Sequence, residues 1–451
     1  MFRLLLVVFA ILALFFASAF AFDAPILRLT SIIAGTCLIL WLTEIVPPFV
    51  PTLLLCAFTP LLLGPLDNNF ALPSVLKWAI DPVLVLFFGG FVLGVAAERH
   101  GFDKRLANAA LHSAGNSFAK FLFLIVFLTA FLSMWMSNIA AAVLMLACLN
   151  PILRNFEIDD ILRRALLVGV AVGANIGGIS TPIGTGPNAI AIASISETSH
   201  ISFLGWMTFA LPLCVGMLIV GFTLIWFRVR GQLSEWSTMA APSSENINGD
   251  ERPQTRKAAE YGCLLVFAAT IILWLSEPLH GVSASVVSLA AASVLFLTRL
   301  LKKEDLIRVD WSTLLLIAGG ITLGKLLEQS GLVKIIAGNI GWNDLNTTLA
   351  LFLLCLASAT LSALMSNTAT AVMLIPLAHA LIPGPSTAIL IAIAASFGMP
   401  FVISTPPNAM VYSKGGVRFN DLFIPGMVIM ILGCLLISLT GRPVLNLIGI
   451  P

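Results

Sequence analysis

The chain has 451 residues, of which 59% are hydrophobic and 10% charged, with a formal net charge of +2. A soluble domain carries about 25% charged residues, so this composition excludes an ordinary soluble fold, and no nucleic acid is expected as a partner. Apolar runs of spanning length, about 20 residues each, recur along the whole chain. The short alternating segments of a transmembrane barrel are absent. The predicted class is an all-α membrane protein with about 11 transmembrane helices and two re-entrant helical hairpins, built as an inverted-topology repeat.

The first element, 1–22, has one positive charge, an apolar centre and small residues near its end, like a signal peptide. Its apolar stretch runs straight into further spans, so residues 1–25 are read as a first, unpaired transmembrane helix. Spans follow near 26–46, 48–64 and 83–98. Next comes an apolar segment, 121–150, carrying Ser137-Asn138-Ile139 at its middle. A span near 160–181 meets "TPIGTGPN" (181–188), and another covers 204–227. Residues 228–257 are polar and rich in Ser, Pro and charge, which marks a cytoplasmic linker. Spans near 258–276, 282–298 and 311–327 lead to a second apolar segment, 349–375, carrying Ser366-Asn367-Thr368. An interrupted span near 386–405 meets "TPPN" (405–408), and 421–440 closes the series.

Orientation follows from charge. With a cytoplasmic N-terminus and alternating spans, every Lys and Arg except Arg28, Lys77, Lys325, Lys334 and Arg442 falls on the inner side, as the positive-inside rule requires. The count works only if 121–150 and 349–375 enter and return on one side. The expected location is the plasma (inner) membrane.

The two halves repeat. "FLSMWMSNIAAAVLM" (131–145) matches "TLSALMSNTATAVML" (360–374), and "FFGGFVLGVAAERHG" (87–101) matches "IAGGITLGKLLEQSG" (317–331). "WLTE" (41–44) pairs with "WLSE" (274–277), and "STPIGTGPNAI" (180–190) with "ISTPPNAM" (403–410). The repeats are read as 26–227 and 258–445. Five spans in each make them opposite in orientation.

Polar triplets in an apolar run are costly in lipid unless they face protein or a wet cavity. Two hairpins entering from opposite sides would bring their tips together near the midplane. Ser133 and Ser137, like Ser362 and Ser366, are spaced by four, which in a helix is one face. Proline breaks free backbone carbonyls for cations and leave helix N-termini for anions. No Lys, Arg or His lies in the triplets or the breaks. An anion there would be held by amides and hydroxyls, with co-bound cations neutralising it.

Simpler roles suit other features. Glu44 and Glu277 read as caps near span ends, and "GGFVLG" (89–94) and "GGITLG" (319–324) as close-packing surfaces. The seven cysteines stand singly in apolar segments, as small buried hydrophobes.

The paired triplets, with "GTGPN" (184–188) and "TPPN" (405–408), make the chain from about 26 to 445 resemble the divalent anion:sodium symporters, which include di- and tricarboxylate and sulfate transporters. The resemblance implies a homodimer whose protomers carry a scaffold and a mobile transport domain, working as an elevator. It implies two or more sodium ions per cycle. One would sit at Ser133, Ser137, Asn138 and Gly184, another at Ser362, Ser366, Asn367 and Ser404. The anion would meet Asn138, Asn367, Thr368, Thr405 and Pro406, with Thr185, Pro187 and Asn188 bordering it. The expected activity is sodium-coupled uptake of C4-dicarboxylates such as succinate. A sodium-independent exchanger of the same fold, or a sulfate or citrate symporter, is the alternative. A proton-linked cation or metalloid carrier would need an acid at the site, and none is near. A membrane-embedded enzyme lacks HExxH, paired aspartates or a Ser–His pairing.

The family usually has Thr where this chain has Ile139. Ile139→Thr is expected to change relative uptake of dicarboxylates, citrate and sulfate, measured as competition against a labelled dicarboxylate. An unchanged ranking would mean that residue 139 does not set preference.

Overall fold

The computed structural model describes residues 2–101, 113, 117–196, 199–231, 254–338 and 346–450, and shows no strand among them. Residues 232–253 of the expected linker, with Lys104 and Arg105, lie outside the described residues. The helices are α1 (Phe2–Ala21), α2 (Pro25–Thr43), α3 (Val50–Leu62), α4 (Leu72–Ala79), α5 (Pro82–His100), α6 (Phe118–Ser133), α7 (Asn138–Leu153), α8 (Ile161–Gly177), α9 (Gly186–Ile195) and α10 (Phe203–Val229). After the linker come α11 (Gln254–Leu275), α12 (Glu277–His280), α13 (Ala284–Leu297), α14 (Trp311–Gln329), α15 (Leu332–Gly338), α16 (Thr347–Leu364), α17 (Asn367–Leu381), α18 (Pro385–Ser396), α19 (Pro406–Ser413) and α20 (Phe419–Leu447).

The sequence sets several starts. Asp81 accepts from the Val83 amide, with Pro82 at the first helical position, to open α5. Asp160 opens α8 and Asp310 opens α14 in the same way. Each cap satisfies an amide that has no partner within the helix.

Among the described residues, seven helical stretches are long and apolar enough to cross a bilayer: Pro25–Thr43, Pro82–His100, Ile161–Ser180, Phe203–Val229, Trp311–Gln329, Thr347–Leu364 and Phe419–Leu447. Six of these coincide with expected spans, and the other five expected spans fall on shorter apolar helices. The seventh long helix, Thr347–Leu364, is the first arm of the second expected hairpin. Length alone therefore does not separate the expected hairpin arms from spans.

The core centres on α8 and α18, which are buried nearly all round; α18 is predominantly apolar, and α8 pairs its buried Arg163, Arg164 and Asn175 with other elements. α18 has 12 residues and is about 18 Å long. Both α16 and α17 lie along it. Arms of 18 and 15 residues cannot continue in line past so short a helix, so the chain folds back between them. α6 and α7 flank α8 likewise. The halves interlock: α9 packs on α17 and α18, and α19 on α7 and α8.

Glycine lets the hairpins approach. Gly169, Gly173 and Gly177 lie on one face of α8. A side chain at 173 would strike the Val126 carbonyl, and one at 177 the Ala130 backbone. In the second half, Gly398 abuts the backbone of Ala359 and Ala363. The small-residue face brings backbones together, as in other membrane bundles, and fixes the hairpin ends against the helices that break beside them.

Other paired motifs pack equivalently. Gly89 rests on Ser288 of α13, and Gly319 on Thr52 of α3. The indole N–H of Trp41 donates to the Pro48 carbonyl (2.8 Å) and that of Trp274 to the Ala284 carbonyl (3.0 Å). The paired acids differ. Glu44 is exposed at the left-handed end of α2. Glu277 is buried, accepts from the Phe203 amide and lies 3.4 Å from His200. At the opposite end Asp421 joins Arg164 of α8 (3.2 Å) to Arg228 of α10 (2.7 Å).

Gly177→Ala is expected to destabilise by about 1–3 kcal/mol, because the new methyl meets backbone that cannot yield. Gly216→Ala on α10 meets nothing within 4 Å and is expected to be neutral or slightly stabilising. Thermal unfolding of the purified protein distinguishes them.

Candidate substrate and ion site

Each triplet is a helix start. Ser137 caps α7, its Oγ accepting from the Ala140 amide at 3.2 Å, and Ser366 caps α17 identically through Ala369, also at 3.2 Å. Their backbones agree: φ −61°, ψ 147° at Ser137 and φ −68°, ψ 143° at Ser366. The serine pairs therefore do not share one helical face, as spacing had suggested. Ser133 ends α6 before the break and Ser137 opens α7 after it.

What joins each pair is the asparagine. The Ser133 hydroxyl faces Asn138 Oδ1 and the Ala174 carbonyl, both at 2.7 Å. A hydroxyl has one proton, so Ser133 donates to only one of these oxygens at a time. In the second half the Ser362 hydroxyl donates to Asn367 Oδ1 at 2.7 Å. Ser133 and Ser362 are fully buried.

The proline breaks face these tips. Thr181 Oγ1 donates to the Met134 carbonyl (2.6 Å) and Ser404 Oγ to the Ala363 carbonyl (2.9 Å), so each break is tied to its own hairpin. Thr185 opens α9 at φ −152°, ψ 149°, and Thr405 opens α19 at φ −142°, ψ 148°. Their hydroxyls differ. Thr405 Oγ1 accepts from the Asn408 amide (3.3 Å), whereas Thr185 makes no capping bond and stays partly exposed.

Freed carbonyls in an apolar interior need donors. The Asn188 amide supplies one to Gly178 (3.1 Å), Ile179 (3.4 Å) and Thr181 (2.8 Å). The Asn408 amide does the same for Met399 (2.9 Å) and Phe401 (2.8 Å). Asn188, expected beside the substrate with Pro187, is fully buried with its donor spent on backbone; it shapes the first break from behind. Pro187 is buried and Pro406 exposed.

The two tips meet at one segment. Asn138 Oδ1 and the Gly184 carbonyl lie 2.6 and 2.8 Å from the point where a side chain on residue 178 would begin, a space only glycine leaves open. Thr368 packs against Gly186. Gly184 and Gly186 are two residues apart, at most about 7 Å. Asn138 of the first hairpin and Thr368 of the second thus flank the same short stretch. Three helices begin around it: α7, α9 and α17. Oxygen atoms and helix N-termini make it suited to a hard cation and to an anion together. None of these side chains is charged.

Ser137 also lines a cavity of about 350 Å³ with Met136, Ala140, Gly94, Glu98 and Arg308. Glu98 and Arg308 pair across it at 2.7 Å. The cavity leads from the first tip to the side where Arg99 pairs with Asp305.

This fold, with apolar helices of spanning length around an uncharged, pseudo-symmetric site, is that of a multi-pass membrane protein. A family model described as "Citrate transporter" matches residues 38–395, and the chain belongs to that family. An uncharacterised transporter of Haemophilus influenzae is 30% identical, the alignment covering 89% of this chain and 88% of that protein. An uncharacterised transporter of Schizosaccharomyces pombe is 29% identical over 91% of this chain, which spans about half of that longer protein (49%). A sodium-dependent dicarboxylate transporter of Staphylococcus saprophyticus is 26% identical, covering 88% of this chain and 82% of that protein. These relatives agree with the divalent anion:sodium symporter resemblance. In fold the chain is similar to the crystal structure of the Alcanivorax borkumensis YdaH transporter, with a TM-score of 0.59, 14% identity, and coverage of 88% of this chain and 98% of that one.

Sequence reasoning missed Asn175, whose amide donates to Asn408 Oδ1 at 2.9 Å. The signal available was one amide in an otherwise apolar stretch just before a break.

Asn188→Ala would strip buried carbonyls of their donor and is expected to cost about 1–3 kcal/mol. Thr185→Val, which loses no capping bond, should stay within about 0.5 kcal/mol. Thermal unfolding without substrate is the check.

Proposed function

We propose that the chain is a sodium-coupled symporter of small divalent anions, with C4-dicarboxylates such as succinate as its main substrates. The observation that carries this reading is the convergence of Asn138 and Thr368 on the 184–186 segment, with the oxygens of Ser133, Asn138 and Gly184 gathered beside it. In the proposed arrangement one sodium ion binds Ser133, Ser137, Asn138 and the Gly184 carbonyl. A second binds Ser362, Ser366, Asn367 and the backbone near Ser404. The anion lies between the hairpin tips, bordered by Thr185 and Thr405, and takes hydrogen bonds from Asn138, Asn367 and Thr368. Relatives named as sodium-dependent dicarboxylate transporters support both ligands.

Charge explains the coupling. A dianion in an apolar interior needs compensation, and the site offers amides, hydroxyls and helix ends but no basic side chain. Bound sodium supplies the missing positive charge. By linkage, the anion raises sodium affinity by the same factor.

The hairpins 121–150 and 349–375 are proposed to be re-entrant, within inverted repeats 26–227 and 258–445. The homodimer and elevator movement follow the family. α5, with the 303–308 segment, would be scaffold and the first hairpin mobile, so the cavity between them is the path to the cytoplasmic side. The plasma membrane, with a cytoplasmic N-terminus, is the proposed location.

Sodium in place of choline is expected to raise succinate affinity by roughly 5–150-fold, the usual range of linked binding, and in proteoliposomes an inward sodium gradient is expected to drive succinate uptake. Citrate and sulfate as competitors rank the substrates. Uptake indifferent to sodium would contradict symport. Gly178→Ala puts a methyl between the Asn138 and Gly184 oxygens. It should raise the sodium concentration for half-maximal uptake about tenfold, equivalent to a clash of about 1–3 kcal/mol.

A further inference from the structure

Two ion sites, one per repeat, would bind independently unless something rigid joined them. The structure contains such a link. Starting at the first site, the Ser133 hydroxyl faces the Ala174 carbonyl. The next residue, Asn175, donates its amide to Asn408 Oδ1. Asn408 in turn holds the carbonyls of Met399 and Phe401. The Phe401 amide donates to Ser404 Oγ at 3.0 Å, and Ser404 donates to the Ala363 carbonyl, next to Ser362 of the second site.

Asn175, Asn408 and Ser404 are each at most 4% exposed. In such a low-dielectric interior a hydrogen bond is strong and an unmade one costly. Asn175 Oδ1 and Asn188 Oδ1 have no partner, so the Asn175 amide is held by its single bond to Asn408.

The pseudo-symmetry sharpens the point. Asn188 and Asn408 are equivalent, each stapling its own break. Gly177 and Gly398, which abut Ala130 and Ala359 equivalently, set Asn175 opposite Ser396, which has no side-chain amide. The cross-repeat bond is therefore an addition that neither break needs for its own shape. It joins α8 of the first repeat to the start of α19 of the second beside the sites, whereas Arg163, at the far end of α8, donates to the carbonyls of Lys414 and Gly415 just past α19.

We propose that Asn175 is a positioning residue that couples the two sodium sites through Asn408. The inference rests on the sodium-symport reading. Sodium at the first site draws on Ser133 and Asn138 and fixes the end of α8. Asn175 passes that constraint to Asn408, which fixes the 399–404 backbone beside the second site. The first ion thereby prepays part of the ordering the second would require, which is positive cooperativity through a contiguous network.

The test is sodium-dependent succinate uptake and succinate binding by wild type and Asn175→Ala, in proteoliposomes and purified protein. Wild type is expected to show a sigmoidal sodium dependence. Asn175→Ala should bring the Hill coefficient down to about 1 and shrink at least about tenfold the factor by which sodium raises succinate affinity. The ranking of succinate over citrate and sulfate should be unchanged. A merely structural residue would lower protein yield or maximal rate and leave the Hill coefficient alone. If the alanine variant fails to reach the membrane, Asn175→Leu, nearly isosteric and without an orphaned amide, is judged by the same criteria. Sigmoidal sodium dependence in both wild type and variant overturns this inference and leaves symport standing. A wild type with no sodium dependence overturns both.

Discussion

Four helix starts sit inside an apolar bundle, and the whole architecture depends on satisfying the backbone they expose. Within hydrocarbon, unpaired amides and carbonyls are prohibitive, so broken helices survive only where protein supplies partners. Here Asn188 and Asn408 supply donors to the carbonyls of the two breaks. Thr181 and Ser404 tie those breaks to the hairpin ends. Ser137 and Ser366 cap the returning arms. With these groups satisfied from behind, the groups in front stay free for a ligand.

The glycine ridges act upstream of that chemistry. Because Gly173 and Gly177 let α6 rest on α8, Ser133 arrives within hydrogen-bonding distance of Ala174. Gly398 brings α16 and Ser362 equally close to the second break. Packing of small residues thus sets ångström-scale positions for oxygens that would otherwise stand behind side chains. In the proposed symport, an uncharged site made this way would admit a dianion and release it because its compensating charge would arrive and leave with the sodium ions. A fixed arginine would hold the anion more tightly and tie its release to nothing.

Much of this was legible in the chain itself. The triplets at 137–139 and 366–368, and the breaks at 181–188 and 405–408, stood out because polar residues and prolines are expensive in apolar runs, and they recurred in register. Paired glycines at 89–90 and 319–320 read correctly as packing. Other features were not legible for physical reasons. Ser133 and Ser137 looked like one helical face because spacing does not reveal where a helix stops. Asn188 was expected to border the substrate, and that its side-chain amide donates to backbone carbonyls of the break was not legible, because a motif does not say which way an amide points. Glu44 and Glu277 looked equivalent, yet only Glu277 is buried, since its surroundings come from α10 in the distant chain. Asn175 was invisible because its partner lies 233 residues away.

The most direct measurement is an electron cryomicroscopy map of the protein in sodium and succinate. The account predicts succinate density between Asn138 and Thr368 against residues 184–186, with a cation among Ser133, Asn138 and the Gly184 carbonyl. An empty centre, with hairpin tips turned to lipid or the anion bound instead at Arg164 and Arg228, would contradict it.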